Sequence, residues 1–96
     1  MRYRVGSAAQ LLQEPHVEGW NRELLGTTGT PAEDYLEGLH RFARHVDRHT
    51  EELLRIADSS RESLLERFRE REEALGNDVR TSVRAVRSWV GYGKVR

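Results

Sequence analysis

The chain has 96 residues with 16 basic and 16 acidic side chains, and its 22 Leu, Ile, Val and Phe residues suffice for one modest hydrophobic core and a single domain. It has no cysteine, which excludes disulfides and thiolate metal sites. No apolar run approaches the roughly 20 residues of a membrane span and no secretory apolar region opens the chain, so a cytoplasmic protein is expected, with signal-less export as the alternative.

Residues 1–29 predict two short helices and a loop. Arg2 to Val5 read as a short extended arm. Ser7 and Gln10 have capping-box spacing for a first helix carrying Ala8, Ala9, Leu11 and Leu12. Pro15 stops that helix or starts the next. Val17, Trp20, Leu24 and Leu25 then share one helical face, and Gly26 is expected to end the second helix. Gly26-Thr27-Thr28-Gly29 reads as a flexible joint.

Residues 30–76 are the main element: one long helix, or an antiparallel helical hairpin. Thr30 as N-cap, Pro31 at the first helical position and Glu33 three residues after Thr30 form a capping box. Gly76 followed by Asn77 suits a left-handed stop. Tyr35, Leu39, Phe42, Val46, Leu53 and Ile56 keep helical spacing with His49 in the gap, and the stripe restarts at Leu64, Leu65, Phe68 and Leu75. A continuous helix over 31–75 would be about 68 Å long, whereas a compact domain of this size has a radius of gyration of about 12–13 Å. Asp58-Ser59-Ser60 interrupts the pattern, and Ser59 with Glu62 repeats the capping box. The chain therefore bends near Ser59, or the long helix pairs with a second copy.

Residues 77–96 predict a basic amphipathic helix and tail. Val79, Val83, Val86 and Val90 form one stripe, and Arg80, Arg84 and Arg87 run beside it. Trp89, Lys94 and Arg96 follow, and residues 91–96 are expected to fray or to touch a partner. Neutrality conceals a division: residues 31–77 carry eight basic and twelve acidic groups, and residues 78–96 carry five basic and one acidic. The basic tail could lie on the acidic helix of its own chain or of a neighbour.

Two resemblances bear on function. Tyr3, Val5, Gly6, Ala8, Ala9, Leu11 and Leu12, with Trp20-Asn21-Arg22-Glu23, resemble the opening of MerR-type and excisionase-type DNA-binding domains, which would imply a small DNA-binding regulator. In this chain the corresponding recognition segment, Glu14 to Gly19, has two Glu and no Arg or Lys. Trp20, the Gly/Thr-rich loop and a long helix with Leu53, Ile56, Ala57, Phe68 and Glu72 are similar to the small Trp-x-Gly helical-hairpin proteins of type VII secretion. That likeness would make Phe68 to Glu72 an export signal.

Chemistry-bearing groups are sparse. His45 and His49 have i,i+4 spacing with His40 and Glu52 nearby, a pattern that can chelate a metal, but no ligand set is complete and a solvated face is expected instead. No nucleophile–base pair and no phosphate-cradling loop can be placed, so no catalytic residue, metal or cofactor is expected. A neutral chain with an acidic second stretch should bind duplex DNA poorly. The expectation is an all-α, non-catalytic interaction module that forms a homodimer or binds a partner helical protein. Tyr35, Leu39, Phe42, Val46, Leu53, Ile56, Leu64, Phe68 and Trp89 are its candidate interface, and Arg80, Arg84, Arg87, Lys94 and Arg96 are the candidate basic contact.

Overall fold

A computed structural model describes residues 3–27 and 32–95. It is all-α: a 3₁₀ helix over Ala8–Gln13, then α1 (Pro15–Thr27), α2 (Ala32–Val46), α3 (Thr50–Arg55), α4 (Asp58–Ala74) and α5 (Arg80–Val95). The expected Thr30–Pro31 cap lies outside the described residues.

The first two elements form for local reasons. Ser7 makes no side-chain cap; Gln10 completes half of the expected box one residue early, accepting the Gly6 N–H at 2.7 Å. Glu14 is extended (φ −87°, ψ 124°), as a residue before proline is driven to be, and this ends the 3₁₀ helix. Pro15 then opens α1, and the Glu14 carbonyl accepts the Glu18 N–H at 2.9 Å. Val17, Trp20 and Leu24 are buried, but Leu25 is 71 % exposed and leaves the expected face. Gly26 lies inside α1, not beyond its end.

The stretch from 30 to 76 is neither one helix nor a hairpin turning at Ser59. It breaks twice. At the first break Asp47 adopts left-handed backbone (φ 54°), and the Arg48 N–H bonds back to the Ala43 carbonyl while the Asp47 N–H reaches Arg44. This is the Schellman arrangement with Asp in the position glycine usually fills. His49 then caps α3, its Nδ1 accepting the Glu51 N–H at 3.3 Å. It therefore sits in a connection and not within a helical stripe.

At the second break Ile56 and Ala57 are both extended (ψ 155° and 147°), so α4 starts at Asp58 without a side-chain cap. Ser59 and Ser60 fall inside α4, and the Ser59–Glu62 box is not formed. Neither glycine nor proline marks this break. Arg61 holds it: its Nε donates to the Leu53 carbonyl (2.9 Å), Nη2 to the Ile56 carbonyl (3.1 Å) and Nη1 to Asp58 (2.7 Å). Carbonyls left over at the end of α3 thus find donors on the next helix. The Arg61 guanidinium holds the Asp58 carboxyl below its ordinary range, with Lys94 adding to the effect. The end of α4 is as expected. Gly76 (φ 82°) is left-handed, and the Asn77 and Gly76 N–H groups return to Glu72 and Glu73.

Two breaks let the chain cover its own stripe. The molecule measures 33 × 27 × 25 Å, with a radius of gyration of 12.5 Å. α2 packs chiefly on α5, and Gly38 permits the approach. A Cβ there would lie 2.9 Å from the Ser82 Cα and 3.3 Å from the Ala85 Cβ. Around this crossing Leu39, Phe42 and Ala43 meet Val86 and Trp89 in a core that Leu11, Val17, Trp20, Leu53, Leu65 and Phe68 complete. Phe42 and Phe68 meet edge to face at 5.3 Å, and so do Trp20 and Trp89 at 5.5 Å. Both buried indoles are satisfied, Trp20 by Ser88 Oγ (3.0 Å) and Trp89 by the Thr50 carbonyl (2.8 Å).

The C-terminal segment does not fray at 91: α5 continues to Val95. Tyr92 stacks on Trp89, and Gly93 lies so close to Leu54 that a Cβ would be 2.6 Å from its methyl carbon. Among the described residues no helix is long and apolar enough to cross a membrane.

Candidate partner-binding groove

The second break leaves a groove beside it. Extended Ile56 and Ala57 cannot fill the space that a continuing helix would occupy, and α4 leaves at a new angle. The resulting groove has a volume of about 520 Å³ and is lined by Arg48, Ile56, Ala57, Ser59, Ser60, Ser63, Leu64 and Arg67. Ile56 and Leu64 are partly buried and pack against the core from one side while forming the groove floor on the other. Arg48 arrives from the α2–α3 connection and pairs with Glu52 at 2.7 Å. Arg67 projects from α4, and no ion pair holds it among the described residues. Its neighbour on the same face, one turn on, is Arg71. Three serine hydroxyls add donors.

Two other clefts have a different character. One of about 330 Å³ lies between α4 and α5 over Leu65, Val86 and Val90. Ion pairs span it, Arg87 with Glu62 at 3.1 Å and Lys94 with Asp58 at 3.6 Å. The other, about 220 Å³, lies beside the Gly38–Ser82 crossing and carries Asp34, Glu37 and Asp78 with Arg41. Both mix acids with bases.

The N-terminal arm brings together a separate polar cluster. Tyr3 Oη and His40 Nδ1 are 2.8 Å apart, the Tyr3 N–H donates to Asp47 (2.8 Å), and Glu14 accepts from Thr50 Oγ1 (3.1 Å) and meets His49 Nε2 (3.0 Å). Because His49 Nδ1 already accepts the Glu51 N–H, the proton belongs on Nε2, which donates to Glu14. Burial, followed by the Glu14 and Glu37 carboxylates, pushes the Tyr3 hydroxyl up. Burial holds His40 below its ordinary value, with Glu37 opposing and Arg44 assisting. These groups satisfy one another: among the described residues no buried side-chain nitrogen or oxygen lacks a partner. The cluster fastens the arm to α2 and to the start of α3.

The candidate residues scatter instructively. Leu39, Phe42, Leu53, Phe68 and Trp89 are fully buried in the core of the single chain. Tyr35, Val46, Ile56 and Leu64 are partly exposed, and of these Ile56 and Leu64 share the groove. In the basic segment Arg80 pairs with Asp78, holding that carboxyl down at about 2 through its guanidinium and its backbone N–H. Arg87 and Lys94 pair with α4 of the same chain, Arg84 is exposed on α5, and Arg96 lies outside the described residues. His45 rests on the Phe68 ring, whereas His40 and His49 both lie against Tyr3, with ring centroids 5.6 and 6.3 Å from it, and His49 also meets Glu14. Among the described residues no group of three or more His, Cys, Asp or Glu is placed to hold a metal ion.

Sequence reasoning missed Arg48, Ser60, Ser63 and Arg67, all of which resemble solvated-face residues. The available signal was Leu64 beside Arg67 and Arg71, a basic edge next to an apolar residue on a helix otherwise rich in glutamate. No family model, no curated protein and no solved structure matches the chain.

Proposed function

We propose that the chain is a non-catalytic helical interaction module that holds a segment of a partner protein in the α3–α4 groove. The observation that supports this reading is the fate of the apolar stripe. Most of it is consumed by the chain's own core, and Ile56 and Leu64 are left side by side on the floor of an open groove. Partner sites of this kind combine an apolar floor with polar edges. The rest of the molecule keeps the two walls in place, since Arg61 ties the end of α3 to the start of α4.

The test is amide-shift mapping of the full chain with a panel of short amphipathic peptides of differing charge. Saturable shifts confined to Arg48, Ile56 and residues 57–67, and abolished by Leu64→Lys, are expected. No peptide shifting these residues would overturn the reading. A second copy is the other occupant to consider, because Ile56 and Leu64 would serve it equally. Sedimentation at tens of micromolar separates the two: a two-chain mass lost on Leu64→Lys assigns the groove to self-association, and a one-chain mass leaves it to another protein.

A further inference from the structure

Resting on that reading, we infer that the groove selects an acidic amphipathic segment, seating an apolar side chain between Ile56 and Leu64 and carboxylates on Arg48 and Arg67.

The charge of the lining carries the argument. Two arginines and three serines border the groove and no carboxylate does, whereas the two other clefts described above include two or more acids. In a chain with equal numbers of acidic and basic groups, an acid-free concavity between helices rich in glutamate is a local exception. The arginines reach it from separate walls, one from the α2–α3 connection and one from α4, so a bound segment would be held along both edges. Arg67 brings no ion pair to be broken among the described residues, while Arg48 is paired with Glu52 at 2.7 Å and would share its guanidinium between Glu52 and the bound carboxylate. Arginine pairs with carboxylates through two parallel hydrogen bonds.

Backbone polarity points the same way. α4 has 17 residues and begins with no side-chain cap. Its first-turn N–H groups are those a helix cannot satisfy internally, and their positive end favours an anion, a demand that Asp58 of the same turn meets only in part because Arg61 and Lys94 engage its carboxylate. Ser59 and Ser60 of that turn line the groove. The aliphatic floor distinguishes the occupant from nucleic acid, since single-stranded bases are held by stacking on aromatic rings and none lines this site.

The experiment uses three peptides of equal length with a common leucine pattern and Glu, Gln or Lys at the polar positions. Binding to the full chain is followed by amide shifts at 50 and 300 mM salt. The Glu peptide is expected to bind about tenfold or more tightly than the Gln peptide, as charge-assisted hydrogen bonds imply, and to weaken as salt rises. The Lys peptide should not bind. Arg67→Glu should remove the preference, and exposed Arg69→Gln, paired elsewhere with Glu73, should not. Equal binding of the Glu and Gln peptides overturns the acidic preference and leaves the interaction reading standing. No groove shift with any peptide overturns both. Tighter binding of single-stranded DNA or of anionic vesicles at the same residues also overturns the inference.

Discussion

The α2–α5 crossing and the α3–α4 junction are joined by opposite means. At the crossing, Gly38, Ser82 and Ala85 contribute almost no side chain, so two backbones approach and large residues close around them. At the junction one long side chain, Arg61, spans a break that the backbone leaves open. The first contact excludes everything else, and the second leaves a groove beside it. Close packing tolerates little change in volume, whereas a hydrogen-bonded strut can be shortened without forcing its neighbours apart. The two should therefore fail differently.

Phe42→Ala should have the largest effect, about 3–5 kcal/mol of stability, because the ring is fully buried against Phe68 and α5 cannot follow a retreating side chain past Gly38. Thermal or urea unfolding measures this. Gly38→Val should cost somewhat less, about 2–3 kcal/mol, since its new atoms would meet Ser82 backbone and not a movable side chain. If Gly38→Val unfolds like the parent, α2 and α5 are not in close contact.

Arg61→Met keeps the apolar length of the side chain and removes its donors. A loss of about 1–3 kcal/mol is expected from carbonyls left without partners. The groove amides should shift far more than those of the α2–α5 crossing. Equal disturbance at both sites would show that Arg61 is not what separates the two regions.

The smallest effect concerns pH. His40 is 5 % exposed, and burial depresses its folded value. The unfolded chain then takes up a proton first. Stability from this group is complete above the ordinary imidazole value of 6.5, declines as pH falls through it, and levels off below the folded value. Unfolding curves between pH 8 and 5 should show this slope in the parent and lose it in His40→Gln. The same pH change should release Tyr3, seen as a shift in its amide, while the α2–α5 crossing stays unaffected.

The apolar faces that meet at the crossing were legible in the sequence, their close approach at Gly38 was not, and the junction was not legible at all. The 3.6-residue spacing of Leu39 and Phe42, and of Val86 with Val90, marked buried faces directly. Pro15 and Gly76 marked ends because their backbone preferences are intrinsic. The two breaks carry no such mark. Asp47 does what glycine normally does, His49 caps where Ser or Asp would be expected, and Ile56 and Ala57 prefer regular structure. What turns the chain at Ile56 is a guanidinium five residues away, a tertiary choice that local pattern cannot express. The groove residues were hidden for a related reason: Arg67 reads as solvated until a break 10 residues earlier places it on a wall.

Helix α3 has only six residues, too short to persist as an isolated helix. It is nevertheless fixed from three directions. The Trp89 indole holds the Thr50 carbonyl, Glu14 holds the Thr50 hydroxyl, and Arg61 holds the Leu53 carbonyl. These partners come from α5, from the residue before α1 and from α4. Opening α3 therefore means releasing three distant parts of the chain together, and no cheap local excursion is available to it. In hydrogen-exchange terms this short segment is expected to belong to the globally protected unit. The Leu53 and Leu54 amides should exchange with the free energy of complete unfolding, while amides in the glutamate-rich second half of α4, with its longer helix and fewer anchors, should exchange sooner. The shortest α-helix would then report most faithfully on whether the whole chain is folded.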